Sequence, residues 1–446
     1  MSKQDLSRRN FVGNMVAAGA AFTIVPRHVL GRGHRAPSDT LNVVCVGVGG
    51  MGNSDVRGLS DQNLVAFADV DWRQADRTFN QYPNVKRYKD WREMFDKEQR
   101  NFDAVTVSTP DHAHAAIAMA AMKLGKHVYV QKPLARTIGE VRALMKEAAK
   151  RPRQSTIMGN QGHAAEGMRL MREWVEAGAI GNVREVHCWT DRPIWPQGRN
   201  RPSEAHNVPP TMDWNLWIGP AADRPYHPSY APFNWRGWWD FGTGAMGDMA
   251  CHMMDAAFWA LELRYPTRII AESTPLFPET APVASRITYE FPANNKRGPI
   301  TLVWRDGNIT PPRPFDWPEQ KPWPFDTSAQ LWVGDKGTMI AGTYAENPRL
   351  SDEAKHKALM ADPPAQRYPR TKGVYSEWVE AIKAGTQPGS NIAGHAGELT
   401  EMIALGNLAV RMGRTLVLDP ATGNITNVQV PADYMMPAYR PGWSLT

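Results

Sequence analysis

The sequence predicts an α/β fold in two parts: a doubly wound parallel sheet of Rossmann type, then an α+β domain with a large, mostly antiparallel sheet. Three observations predict it. From Leu41 to about Ile157, short β-branched runs alternate with helical stretches, the pattern of a parallel sheet covered by helices on both faces. After Gly178 the strands lengthen and lose their intervening helices, which points to an antiparallel sheet packed on one face. A glycine-rich turn, "VVCVGVGGMG", joins the first strand to the first helix. The boundaries that follow are an N-terminal segment 1–38, a Rossmann domain 39–160 and an α+β domain 161–446.

The N-terminal "SRRNFVGNMVAAGAAFTIVP" sets paired arginines before an uncharged stretch, Phe11 to Pro26, that is short for a bilayer span. With Ser7, Arg8, Arg9 and Phe11 at matching positions, it resembles a bacterial twin-arginine export signal. That resemblance implies the twin-arginine export machinery as a partner and a periplasmic or otherwise exported protein, tethered to the membrane if the signal is kept. Six basic residues of the first 40 face only two acids, so most of the formal net charge of +6 lies there and the body is near neutral. A phosphate-tracking nucleic-acid surface is not indicated. Cys45, Cys188 and Cys251 support neither a disulfide framework nor a cysteine metal site.

In chain order, "LNVVCVGVG", "LVAFADV", "FDAVTVSTP", "HVYVQKP" and "QSTIMGN" read as strands of the first sheet. "RQADRTFNQ", "AHAAIAMAAMKLG" and "TIGEVRALMKEAAK" read as its helices. "NVREVHCWT", "TRIIAES", "ASRITYEF", "PITLVWR" and "AQLWVGDKGTMIAG" are the longer strands of the second sheet. Residues 191–245, rich in Trp, Pro and Gly, run into a helix in "GAMGDMACHMMDAAFWALEL". The prolines of "PPRPFDWPEQKPWPF", 311–325, forbid a helix or central strand and predict a stiff surface loop. Helices near 373–384 and 395–412 close the chain.

Gly47, Gly49 and Gly52 stand in G-x-G-x-x-G spacing. They predict a tight turn, close approach of backbone to a pyrophosphate, and close packing of helix on strand. Asp69, at the end of the second strand, is placed to accept the ribose hydroxyls of an adenosine. A carboxylate there repels a 2′-phosphate, so NAD is favoured over NADP; Arg73 is the residue that would partner that phosphate.

"HVYVQKPLAR" sets Lys132 directly before a proline, which holds it extended at a strand end, where open α/β sheets bind ligands. Together the glycine turn, "STPDHAHAA", "GKHVYVQKPLA" and "GDMACH" resemble the Gfo/Idh/MocA family of nicotinamide-dependent sugar oxidoreductases. The resemblance matches Lys132 and Pro133 to the family's Glu-Lys-Pro strand end, with Gln131 in place of the glutamate, and Asp248 and His252 to its Asp-x-x-x-His helix. It implies that Lys132 stabilises alkoxide charge on a sugar hydroxyl while His252 takes the proton. Asp248, four residues before His252, lies on the same helix face and is expected to orient the imidazole. The cofactor-binding set is Gly47, Gly49, Gly50, Met51, Gly52, Asp69, Arg73, Ser108, Pro110, His114 and Gln131. Asp255 is assigned a supporting role on its helix, and no metal site is expected, since the redox chemistry employs two of the three residues His163, Asp248 and His252.

His163, after the last strand of the first sheet, faces the interdomain cleft by topology and is a candidate substrate-hydroxyl partner. Seven tryptophans between Trp189 and Trp239, with nearby arginines, lean toward carbohydrate, whose C–H faces pack on rings; Trp235 and Arg236 are the substrate-binding candidates. The expected function is hydride transfer at a secondary hydroxyl or keto group of a sugar or glycoside. Two alternatives stand beside it: a redox glycosidase that oxidises, eliminates and re-reduces with one bound NAD, and a non-catalytic sugar-binding protein with structural NAD. The resemblance also implies a homo-oligomer formed through the exposed face of the second sheet.

Overall fold

The computed structural model describes residues 40–314, 316–317 and 327–445. The twin-arginine stretch lies outside the described residues. Asn42–Thr446 form a single unit.

Six strands, β1 (Asn42–Val46), β2 (Asn63–Ala68), β3 (Lys86–Tyr88), β4 (Ala104–Val107), β5 (His127–Val130) and β6 (Thr156–Met158), make a parallel sheet of order β3-β2-β1-β4-β5-β6. Every residue of β4 and β6 is buried, as a sheet covered on both faces requires. The covering helices are α1 (Met51–Gly58), α2 (Trp72–Gln81), α3 (Trp91–Glu98), α4 (Asp111–Lys123) and α5 (Ile138–Ala149). Asp71, Asp90 and Thr137 cap α2, α3 and α5, the last in a reciprocal box with Glu140. β3 and α3 lie outside the elements the sequence predicts: β3 is three residues long and largely exposed, so it carries no apolar signature. The strand order reverses between β1 and β4, and the crevice beyond their C-terminal ends is where such folds take ligands.

The second sheet has eight strands, β7 (Val183–Thr190), β8 (Arg268–Ser273), β9 (Ser285–Phe291), β10 (Ile300–Arg305), β11 (Ser328–Gly334), β12 (Thr338–Ala341), β13 (Arg349–Leu350) and β14 (Leu416–Val417). Their order is β13-β12-β11-β7-β10-β9-β8-β14, antiparallel except for the β7–β10 pair. Among the described residues, the α-helices of this half are α6 (Glu166–Glu176), α7 (Trp214–Ile218), α8 (Gly244–Met253), α9 (Asp255–Ala260), α10 (Glu353–Ala361), α11 (Val374–Ala384), α12 (His395–Met412) and the short α13 (Ala432–Met435). α12 packs on α5, α8 and β8, so one helix joins the two halves. Trp317 of the proline-rich segment packs with Trp189, Leu331 and Ile340.

The chain also folds back on itself. Tyr375 of α11 stacks on Tyr129 of β5 with ring centroids 5.6 Å apart, and Ser390 O accepts a hydrogen bond from Met158 N at 3.0 Å. The C-terminal helices thus brace the strand ends of the first sheet.

Candidate active site

Gly47 ends β1 with φ +76°, and a Cβ there would lie 2.7 Å from Ser108 O. A Cβ at Gly52 would lie 2.0 Å from Gly47 O, so the turn and α1 approach as closely as the motif implies. Gly49 departs from expectation: its missing Cβ makes room for the backbone of α2, 2.7 Å from Gln74 O, and not for a ligand. The open position is Gly50, with φ +50° and nothing within 4 Å of where a Cβ would stand, followed by half-exposed Met51. Asp69 secures this turn, its Oδ2 accepting from Val48 N at 2.8 Å and Gly49 N at 3.2 Å, its Oδ1 from Asp71 N at 2.9 Å. Burial raises the Asp69 carboxyl pKa against these three N–H groups. Arg73 lies exposed in the first turn of α2. An open turn at the head of α1, beside a strand-end carboxylate, fits a dinucleotide.

Beneath the turn, Asp55 of α1 is fully buried. It accepts from Ser108 Oγ at 2.6 Å, Tyr375 Oη at 2.8 Å, and Gln131 Nε2 at 3.0 and 3.1 Å. Burial raises its pKa, and those donors oppose the rise. Ser108 and Gln131, expected at the cofactor, have their side chains turned to this carboxylate. Gln131 Oε1 in turn accepts from Lys132 N at 3.2 Å. His114 is likewise structural in placement: it is buried, with its ring nitrogens 2.8 Å from Pro133 O and Thr109 O, tying the β5 end to the β4 end. Pro110 precedes α4 as its N-cap residue.

Lys132 projects from the β5 end, as the sequence predicts, and meets α8: its Nζ lies 2.7 Å from Asp248 Oδ1 and 2.8 Å from Asp248 O. Arg236 Nε reaches the same Oδ1 at 3.2 Å. Its Nη1 reaches Asp111 Oδ1 at 3.1 Å, and Thr243 Oγ1 donates to Asp111 Oδ2 at 2.6 Å. Two cations and two carboxylates therefore close a neutral cluster joining α4, β5, the 3₁₀ turn Asn234–Gly237 and α8. Burial alone would raise the Asp248 carboxyl; Arg236 and Lys132 overcome it and hold it well below the usual carboxylate range. This corrects the expected role of Asp248. Its carboxylate is taken by Lys132 and Arg236, and His252 Nδ1 is left buried without a partner among the described residues.

His252, at the end of α8, is 2 % exposed. Burial, then Lys132, push its imidazole down to about 3, against the carboxylates of Asp248 and Asp255. It is a neutral imidazole at physiological pH, with an acceptor nitrogen to offer. Tyr344 stands edge-on to it at 4.8 Å between ring centroids. The Tyr344 loop follows β12 and contains Ala345 at φ +61° and Asn347 at φ +50°, left-handed backbone at non-glycine residues. Sequence reading missed both Tyr344 and Asp111. The acid opening "DHAHAA" is a visible signal for Asp111; Tyr344 has none, because a loop between strands brings it there.

His163 does not stand open to a substrate. It is 2 % exposed, and its Nδ1 lies 2.9 Å from Asp255 Oδ1. His395 Nε2 shares that oxygen at 2.5 Å, and Asn160 Nδ2 donates to Asp255 Oδ2 at 2.6 Å. Burial would raise the Asp255 carboxyl, yet the two imidazoles hold it well below its usual range. Three potential metal-ligating atoms thus lie within 4.8 Å of one another. Both imidazoles sit at hydrogen-bond distance from one oxygen, the arrangement of a bridging carboxylate.

Five of the seven tryptophans are buried: Trp189, Trp195, Trp217, Trp238 and Trp239. Trp217 and Trp238 belong to an aromatic cluster with Tyr226, Tyr230 and Phe241 that gives the irregular 212–241 stretch its own core. Trp235 remains half-buried beneath the Arg236 guanidinium, 4.2 Å from its ring centroid. The arrangement offers a neutral base, a lysine held by a carboxylate, and aromatic surface, at the end of β5, two strands along the sheet from β1 and its glycine turn.

Family models match the chain twice: "Oxidoreductase family, NAD-binding Rossmann fold" over residues 41–158, and "Oxidoreductase family, C-terminal alpha/beta domain" over residues 180–296. Among curated proteins, levoglucosan dehydrogenase of Pseudarthrobacter phenanthrenivorans is 31% identical over 168 residues, 38% of this chain and 35% of that protein. Inositol 2-dehydrogenase of Salmonella typhimurium is 25% identical over 153 residues, 33% of this chain and 45% of that protein. The chain thus matches less than half the length of these relatives. Among solved structures, levoglucosan dehydrogenase in complex with NADH and levoglucosan superposes with a TM-score of 0.57 at 17% identity, covering 85% of this chain and 99% of that one. Aldose-aldose oxidoreductase from Caulobacter crescentus gives 0.55 at 18% identity, covering 85% and 100%. At such identities the structures speak for the fold alone. With both family domains matched in order over more than half its length, the chain belongs to the Gfo/Idh/MocA oxidoreductase family.

Proposed function

We propose that this protein is an exported NAD-dependent dehydrogenase that oxidises, or in reverse reduces, a secondary alcohol carbon of a sugar or glycoside. The observation that carries the reading is the meeting of Lys132, at the strand ends of the NAD-binding domain, with Asp248 on the α8 helix that also carries His252. Relatives named for levoglucosan and inositol dehydrogenation support a polyhydroxylated substrate.

Gly50, Met51 and the Asp69 carboxylate would hold the cofactor, and that carboxylate favours NAD over NADP. NAD supplies the hydride acceptor. His252 accepts the hydroxyl proton as a neutral imidazole, and Lys132 steadies the oxygen as negative charge develops. Asp248 holds the Lys132 ammonium in place, and Arg236 shares that carboxylate so that neither cation is left unpaired. The His163–Asp255–His395 bridge fixes the start of α9, and through it the end of α8 that carries His252. Trp235 offers a ring to the sugar C–H face, with Tyr344 across His252.

Arg8 and Arg9 followed by an apolar stretch support export by a route that carries folded proteins, so the cofactor would be loaded before transit. Cell fractionation of the intact chain against an Arg8→Lys, Arg9→Lys chain tests that part. A homo-oligomer, tested by light scattering, is part of the same reading.

The decisive experiment incubates the purified protein with a panel of free sugars and glycosides, with and without NAD, and reads products by mass spectrometry and reduced cofactor by absorbance. A product lighter by two hydrogens, formed together with reduced cofactor, is expected. Aglycone release without net reduced cofactor would move the assignment to a redox glycosidase, and silence across the panel to a sugar-binding protein.

A further inference from the structure

A second feature lies apart from the strand-end cleft, on the far side of the stretch that leads into α8. A cavity of about 30 Å³ is lined by Arg136 and Thr137 ahead of α5, by Trp239 and Thr243, and by Asn407 and Arg411 of α12. Two guanidiniums therefore face one small space. Arg136 is buried, its side chain 5% exposed; it donates through Nη1 to Trp239 O at 3.4 Å and to Asp240 O. Its acid neighbour is Glu140, with Oε1 3.9 Å from Nη2. That carboxylate already accepts from Arg136 N, Thr137 N and Tyr439 Oη. Arg411 is sandwiched between the rings of Tyr434, 3.7 Å from its centroid, and Trp239, at 5.7 Å, and forms no ion pair among the described residues. Both arginines leave their Nε buried without a hydrogen-bond partner among the described residues.

A buried, unpartnered N–H on a charged fork is among the most costly polar groups a protein can hold. Here there are two, and their positive charges repel across the same space, where the Glu140 carboxylate is already engaged and Asp433 stands near Arg411. An anion between them would pair with both guanidiniums and relieve that repulsion. Arginine forks match oxyanions in geometry as well as charge. The cavity has room for little more than a few atoms.

From this we infer that the Arg136–Arg411 cavity is a binding site for a small oxyanion, a carboxylate or inorganic phosphate, distinct from the proposed sugar site. Trp239 and Thr243 connect it to that site. Thr243 donates to Asp111, which holds Arg236, and α8 begins at the next residue. An anion here braces the segment from which the α8 residues are aimed.

The test uses the full chain and needs no catalytic assay, so its outcome is independent of the proposed reaction. Melting temperature and isothermal calorimetry are followed while sodium formate or sodium phosphate replaces sodium chloride at constant ionic strength. A saturable rise in Tm with formate or phosphate is expected, and whichever titrates at lower concentration identifies a planar or a tetrahedral occupant. Arg411→Met should weaken that binding at least about tenfold, while Arg411→Lys, which keeps the charge without the fork, should fall between. Should Arg411→Met fail to fold, the lysine variant and the wild-type titration still decide the matter. No saturable rise with either anion, an equal rise with chloride, or an unchanged affinity in the lysine variant overturns the inference.

Discussion

Asp248→Asn removes one negative charge from a cluster that is neutral as folded, and leaves Lys132 without a carboxylate while Arg236 keeps Asp111. The Lys132 Nζ to Asp248 Oδ1 distance is 2.7 Å, with the two side chains 12% and 13% exposed. At an effective dielectric near 20, that separation corresponds to about 6 kcal/mol of attraction before solvation is counted. Part of it returns, because Lys132 faces a cleft and regains water, and because the amide oxygen of asparagine still accepts. Breaking a largely buried pair by removing one partner costs about 3–5 kcal/mol, and the lower end is expected here. Lys132→Met should cost less, about 1–2 kcal/mol, since Asp248 retains Arg236 at 3.2 Å. In the double variant no cation is stranded, so its loss should fall short of the sum of the singles by at least about 1 kcal/mol. Equilibrium urea unfolding of the four proteins measures this, with NADH formation followed in parallel. Both single variants should lose turnover, about 100-fold or more for Lys132→Met. Additive stabilities, within about 0.5 kcal/mol, would refute the claim that Asp248 is spent on the cations. Full turnover by Lys132→Met would remove the lysine from the mechanism.

Other expectations follow from single groups. Burial raises the Asp306 carboxyl to about 6, against hydrogen bonds from Trp304 and Ser285. A raised carboxyl stabilises the fold below its unfolded value of 3.8, and that contribution is lost as pH rises through about 6, on the order of 3 kcal/mol in all. Asp306→Asn should flatten the unfolding profile across that window. His252 works in the opposite sense: lowered from 6.5 to about 3, it contributes stability present above 6.5 and lost as pH falls toward 3, and His252→Gln should abolish that loss together with turnover. At Gly52 a Cβ would lie 2.0 Å from Gly47 O, so Gly52→Ala should lower Tm and raise the KM for NAD steeply. At Gly50, where only the φ of +50° is at issue, Gly50→Ala should cost about 1 kcal/mol. Tyr344→Phe should raise the KM for sugar more than it lowers kcat if the phenol hydroxyl contacts substrate; an unchanged KM would take that hydroxyl out of the site.

Some of this is legible in the chain itself. Alternating β-branched runs and helical stretches announce a parallel sheet because burial on both faces leaves almost nothing polar in β4 or β6. The glycine spacing and the Lys-Pro strand end are local devices, so short windows of chain reveal them, and the two closing helices fall within a residue of expectation. Who pairs with whom is not legible. Asp248 and His252 share a helix face, which makes a bond between them the simplest reading. The carboxylate is claimed instead by cations from β5 and from the 3₁₀ turn before α8, which lie 116 and 12 positions away. His163 is expected to face the cleft, and His395, from 232 positions further on, joins it on Asp255. The sequence by itself determined the layers of the fold, the glycine turn and the residue types at the site. Only the tertiary structure decided the charge partners, the neutral state of His252 and the placement of Tyr344. Buried charges bond to whatever opposite charge packing brings within about 3 Å, and a linear chain does not record distances between its distant parts.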